Sequence, residues 1–167
     1  MKLLSIAALS VVVLAWPVGA QTVAHYGAHG SAVLQDKAAT PGAIDAQLTK
    51  DELCSPAFHT GTVRDVTDEM KVKACKAYGQ NSGCPGDGYE IDHLISIELG
   101  GSNDPANLWP QPVDRPGVIG YHTKDVVEDR AHRAVCEGRL TLAQAQAGIR
   151  DDWYAFGLAN GFITPPK

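Results

Sequence analysis

Asp92 and His93 stand side by side in an apolar run that otherwise contains Ile91, Leu94, Ile95, Ile97 and Leu99. A carboxylate ligates hard cations, and an imidazole titrates near neutral pH. A strand that only fills a core has no use for that pair, whereas metal-assisted hydrolysis needs both kinds of group. A Gly100-Gly101-Ser102-Asn103-Asp104-Pro105 loop follows, and Asn107 then opens a short segment ending in Trp109-Pro110. Further on, Lys124, Glu128 and His132 recur every fourth residue, with Asp125 and Asp129 beside them. On a helix that spacing makes one polar stripe.

The elements that must position these groups can be read from pattern. Residues 89–94 alternate like a strand, with Tyr89, Ile91 and His93 on one face and Glu90, Asp92 and Leu94 on the other. Asp92 and His93 therefore meet in one site only if the strand ends or bends there. Residues 107–109 read as a returning strand that Pro110 and Pro112 keep out of any central ladder. Residues 122–137 read as the main helix, with Val127, Ala131, Ala134 and Val135 as its apolar stripe and Gly138 as its stop. A second helix is expected over 67–78, capped by Thr67 and ended by Gly79, and a third over 141–153. Thr49 and Glu52 have the spacing of a capping box. Residues 60–64 alternate like a short strand, and 83–88 read as a loop. Trp109 is expected to plug the core, Glu98 to be solvated, and Glu90 to tune the site next to Asp92. Lys71, Lys73 and Lys76 read as a solvated helix face.

The N-terminus has a different character. Lys2, the apolar stretch 3–16 and the small residues Val18-Gly19-Ala20 follow the plan of a secretory signal peptide over residues 1–20. Residues 21–50, with His25 and His29 in Gly-rich surroundings, read as a flexible lead-in. Residues 51–160 form the expected domain, and 161–167 a frayed tail. Loss of the leader removes Lys2, leaving 13 of the 14 basic residues against 19 acidic ones, a net charge of −6. That field opposes a polyanionic partner unless a bound cation or a local patch reverses it. The four cysteines, Cys54, Cys75, Cys84 and Cys136, lie beyond the leader. In an exported chain an even count reads as two disulfides, with three connectivities open and Cys136 suggesting a link back to the N-terminal half. The expected locale is periplasmic or secreted, with no membrane association after cleavage, and the expected state a monomer.

The stretch from Tyr89 to Gln111, Tyr-Glu-Ile-Asp-His-Leu-Ile-Ser-Ile-Glu-Leu-Gly-Gly-Ser-Asn followed by Asn-Leu-Trp-Pro-Gln, resembles the HNH endonucleases, the ββα-metal finger group, in their small exported bacterial variety. The resemblance is tight over these residues and looser through Lys124-Asp125, Glu128, His132 and Cys136 to Trp153. It implies an α+β fold, mostly helical, built around a ββα-metal finger and stapled by the two disulfides. The implied activity is hydrolysis of phosphodiester bonds in DNA and/or RNA with a divalent cation, magnesium, manganese or zinc. His93 would be the general base, Asp92 a metal ligand, and Asn107 the residue that holds the loop and orients His93. One departure stands out. The pattern's last histidine falls about nine residues past the asparagine, where this chain has Pro116; His122, or else Glu128 with His132, is then expected to complete the metal site. The alternative is a non-catalytic, disulfide-stapled envelope or interaction module carrying a degenerate finger.

Overall fold

The computed structural model describes residues 23–80, 84 and 88–166. The expected leader, 1–20, and most of the expected loop at 83–88 lie outside the described residues. The chain is mixed α+β, and at its centre is an antiparallel pair, β3 (Tyr89–His93) and β4 (Leu108–Pro112), in which Asp92 faces Trp109 and His93 faces Leu108. With only one neighbour, β4 runs through Pro110 to Pro112, further than residues 107–109 suggested, because a proline nitrogen turned away from the partner costs no ladder bond. Between the strands the chain makes two 3₁₀ turns, Ile97–Leu99 and Pro105–Asn107. Helix α4 (Tyr121–Cys136) follows, then α5 (Leu142–Ala159), which starts at a Thr141/Gln144 capping box and bends at Asp152.

Earlier in the chain are α1 (Lys50–Leu53), opened by the Thr49/Glu52 capping box, and α3 (Asp68–Ala77), capped by Thr67. Residues 60–64 are not a strand. Thr60–Val63 is a single helical turn, α2, closed by Arg64 N–H on Thr60 O and by the Thr62 hydroxyl on His59 O; among the described residues no strand pairs with it. The lead-in also differs from expectation. Gly27–His29 (β1) and Ala32–Leu34 (β2) make a hairpin whose Ala32 and Leu34 are buried against α5. His29 is tied to Asp152 at the bend of α5, Nδ1 to Oδ2 at 2.7 Å. At the other end, Phe162 is buried against Phe156, and its N–H donates to Gly157 O, so the start of the expected tail is packed.

One core joins these parts. Leu94, Ile95, Leu99 and Trp109 from the β3–β4 unit meet Val127, Ala131, Ala134 and Val135 of α4 and Ala145, Ile149 and Trp153 of α5. Each large apolar side chain so buried contributes about 1.5–3 kcal/mol. This packing fixes the polar edge of α4 over the end of β3. Two disulfides complete the frame: Cys54–Cys136 ties α1 to the end of α4, and Cys75–Cys84 ties α3 to the segment before β3. Such bonds belong to oxidising compartments. No helix among the described residues is long and apolar enough to cross a membrane.

Candidate functional site

Strand β3 ends at His93, where Leu94 N–H turns to Asn107 O, so the alternation that would part Asp92 from His93 stops at this point. Both side chains line one pocket of about 220 Å³, together with Arg64, Ser96, Glu98, Asp125 and Glu128. The pocket floor is the loop between β3 and β4, and its wall is the polar stripe of α4.

His93 is 1% exposed. Its Nε2 lies 3.1 Å from Asn103 Oδ1. The Asn103 amide is oriented by its own Nδ2, which donates to Val63 O at 2.7 Å, so the oxygen is the atom turned to the ring. An amide oxygen only accepts; Nε2 therefore carries the proton and Nδ1 holds the free lone pair. Nδ1 is buried and has no hydrogen-bond partner among the described residues. Burial lowers the pKa of His93, against the opposing pulls of Asn103 and Asp92, and favours the neutral ring.

Asn107 does not touch that ring. Fully buried, it accepts from Ile95 N–H at 2.9 Å and donates to Ile95 O at 2.9 Å and Ser102 O at 3.0 Å, pinning both sides of the loop. It holds the loop as expected, while direct orientation of His93 falls to Asn103. Gly101 is required here for space: a Cβ would lie 1.7 Å from Ile95 O.

Lys124 is wholly buried, and its three ammonium protons go to Asp92 Oδ2 (2.7 Å), Glu128 Oε1 (2.7 Å) and His93 O (2.8 Å). Burial alone would drive its proton off. The two carboxylates outweigh that and hold its pKa above the ordinary lysine value. Burial also raises Glu128 well above the usual carboxylate range, with Lys124 opposing in part. Asp125 is pushed up to about 6 by burial and by the neighbouring charges of Asp92 and Glu90. Oxygens of Asp92, Asp125 and Glu128 lie within 4.8 Å of one another.

Two expected ligands fall elsewhere. His122 is exposed and faces Asp114 and Arg130. It lines a different pocket from Asp92, and its ring nitrogens are not among the ligand atoms that converge with Asp92, Asp125 and Glu128. His132 shares the stripe of Glu128 but is engaged one turn further on, with Nε2 at 3.1 Å from Leu53 O and 3.4 Å from Cys136 Sγ. Asp125 takes the third position instead; its signal was the i, i+3 spacing to Glu128. Glu98 is not a solvated residue, since it is half-buried in the pocket wall and burial raises its pKa. Asn103 and Arg64 were missed, and nothing in their local sequence announces that 40 residues of chain separation close between Asn103 and Val63.

The donor set fits a hard divalent cation. Three carboxylates converge, and Lys124 uses one oxygen of Asp92 and one of Glu128, leaving the second oxygen of each and both of Asp125. Thiolates are not available to such a site, since all four cysteines are paired. Comparison with protein-family models, curated proteins and solved structures gives no significant match to the chain.

Proposed function

We propose that this protein is an exported, metal-dependent endonuclease of the HNH type that hydrolyses phosphodiester bonds of DNA and/or RNA. The observation that carries the reading is the buried Nδ1 of His93, without a hydrogen-bond partner among the described residues, on a side chain that lines the pocket where Asp92, Asp125 and Glu128 converge. A buried imidazole nitrogen left without a partner costs about 1–3 kcal/mol, a sacrifice that makes sense where a water is to be deprotonated. Asp92, Asp125 and Glu128 would hold a magnesium or manganese ion. When bound, that ion neutralises charge on the phosphate and on the leaving 3′ oxygen.

The chain's own residues supply the rest. His93 Nδ1 accepts the proton of the attacking water, and Asn103 holds the ring by its Nε2–H, which leaves the lone pair on Nδ1. Asn107 and Gly101 keep the loop rigid beneath it. Lys124 keeps Asp92 turned to the pocket and offsets part of the acidic field. Arg64, the cation on the pocket rim, pairs with the substrate phosphate.

Lys124 also favours a second reading. Its ammonium already neutralises Asp92 and Glu128, as it would in a non-catalytic envelope or interaction module whose finger is degenerate. Plasmid nicking and RNA cleavage by the oxidised chain from residue 21 onward, with and without magnesium or manganese, separate the two. The nuclease reading expects metal-dependent cleavage that disappears in His93→Ala while the fold persists by circular dichroism. Metal binding without cleavage of either polymer would leave the second reading.

A further inference from the structure

We infer that Cys54, Cys136 and His132 form a second metal site, for zinc or a comparable thiophilic divalent cation, which opens only when their disulfide is reduced. The two sulfurs and a ring nitrogen of His132 lie within 4.8 Å of one another, with His132 Nε2 3.4 Å from Cys136 Sγ. His132 and Cys136 are one turn apart on α4 and so project to the same side, while Cys54 caps the end of α1 opposite them. The α-carbons of the two cysteines are 5.5 Å apart. Zinc–sulfur bonds of about 2.3 Å in a tetrahedral arrangement place two sulfurs about 3.8 Å apart, a separation reached from that backbone by rotating side chains. Two thiolates and an imidazole form a donor set that selects zinc over magnesium or manganese, and the three ligands leave a fourth position for water.

The disulfide closes the site, because a disulfide sulfur is not a thiolate and thiolates are the ligands. A dithiol reductant opens it. One of its thiolates attacks a sulfur of the Cys54–Cys136 bond, its second thiol resolves the mixed disulfide, and the reductant leaves as its own disulfide with two electrons delivered to the protein. The cation then displaces the two thiol protons, and His132 releases the Nε2–H bond to Leu53 O, moves its ring proton to Nδ1 and presents the Nε2 lone pair. The cation takes over the link between α1 and α4 that the covalent bond provided. This site is independent of the phosphodiesterase reading, shares no residue with the Asp92 cluster, and prefers a different class of metal.

The test uses the whole chain reduced with dithiothreitol, desalted without oxygen and titrated with Co²⁺, beside a Cys75→Ser/Cys84→Ser form in which only the two relevant thiols remain. Expected is one Co²⁺ per chain with a thiolate charge-transfer absorption, displaced by Zn²⁺, absent in the oxidised protein, and weakened in His132→Ala by more than the roughly 100-fold that loss of an outer-shell partner costs. If reduction unfolds the chain, Co²⁺ or Zn²⁺ restores the circular dichroism in the same one-to-one ratio. No charge-transfer band, a band indifferent to His132→Ala, or a reduced chain that metal fails to refold would each overturn the site.

Discussion

At the scale of single residues, the state of His93 depends on Asn103 as much as on burial. The Asn103 contact stabilises the protonated ring, while desolvation opposes protonation more strongly. In the proposed mechanism the active form is the neutral one, so activity is expected to fall as pH drops through a pKa that lies below the ordinary histidine value of about 6.5. Replacing Asn103 with Leu removes the contact, and the acid limb of kcat/KM then moves to still lower pH. The rate itself falls by about 10–100-fold, the usual cost of losing a group that orients a functional side chain. A pH–rate profile on both proteins measures the two effects separately, and an acid limb that moves upward would contradict the assignment. Lys124 makes the complementary case. Lys124→Met strands two carboxylates, and breaking such a buried ion pair costs about 3–5 kcal/mol. Without the ammonium, Glu128, already raised by burial, loses the charge that opposes that rise and titrates still further above its unfolded value in the folded variant. A raised folded pKa gives stability below the unfolded value that is lost as pH rises through the folded one, so the penalty is smallest near pH 4 and largest near pH 8. Urea denaturation of both proteins at the two pH values reads this out; a penalty independent of pH would mean that Lys124 acts by packing alone.

At the scale of elements, the site depends on a loop that is held shut from inside. Gly101→Ala sets a methyl group 1.7 Å from Ile95 O, against backbone that Asn107 pins on both sides. Overpacking of this kind costs about 1–3 kcal/mol, and here it also shifts the floor beneath His93. The expected result is a lower melting temperature together with loss of cleavage, whereas the same change at Gly61, where a Cβ meets nothing, leaves both unaltered. How much of this was legible follows the range of the interactions. Helix α3 announced itself through its Thr67 cap, α4 and the first part of α5 through apolar stripes (α5 runs on past residue 153 to Ala159), and the β3–Gly-rich loop–β4 order through alternation and turn residues, because those signals lie within a few residues of one another. Asn103 was not legible as the partner of His93, since its amide is oriented by Val63, far upstream. The 60–64 segment misled because four residues of alternation fit one helical turn equally well. His122 misled because its distance along the chain suited the motif while its ring lines a neighbouring pocket with Asp114 and Arg130.

At the scale of the molecule, the pocket joins the end of β3, with Asp92 and His93, to Asp125 and Glu128 on α4, and the Cys54–Cys136 bond braces α4 against α1. It closes a span of 82 residues, whereas Cys75–Cys84 closes 9. In the chain-entropy account these loops contribute about 4.5 and about 2.6 kcal/mol, respectively. The difference matters because the long link anchors the C-terminal end of the helix that carries Lys124, Asp125 and Glu128, while the short one fixes only the approach to β3. Cys54→Ser/Cys136→Ser is therefore expected to lower the denaturation midpoint more than Cys75→Ser/Cys84→Ser. It is also expected to lose phosphodiester cleavage at temperatures where the short-loop variant still cuts. A nuclease that completes its fold only on oxidation would spare nucleic acid inside the reducing interior of the producing cell, and export would supply the missing bond. Midpoints and plasmid nicking measured side by side on the oxidised chain, the two variants and the metal-free reduced chain decide the matter. Full activity and an unchanged midpoint in the reduced chain would mean that packing of α4 on the β3–β4 unit suffices without the covalent link.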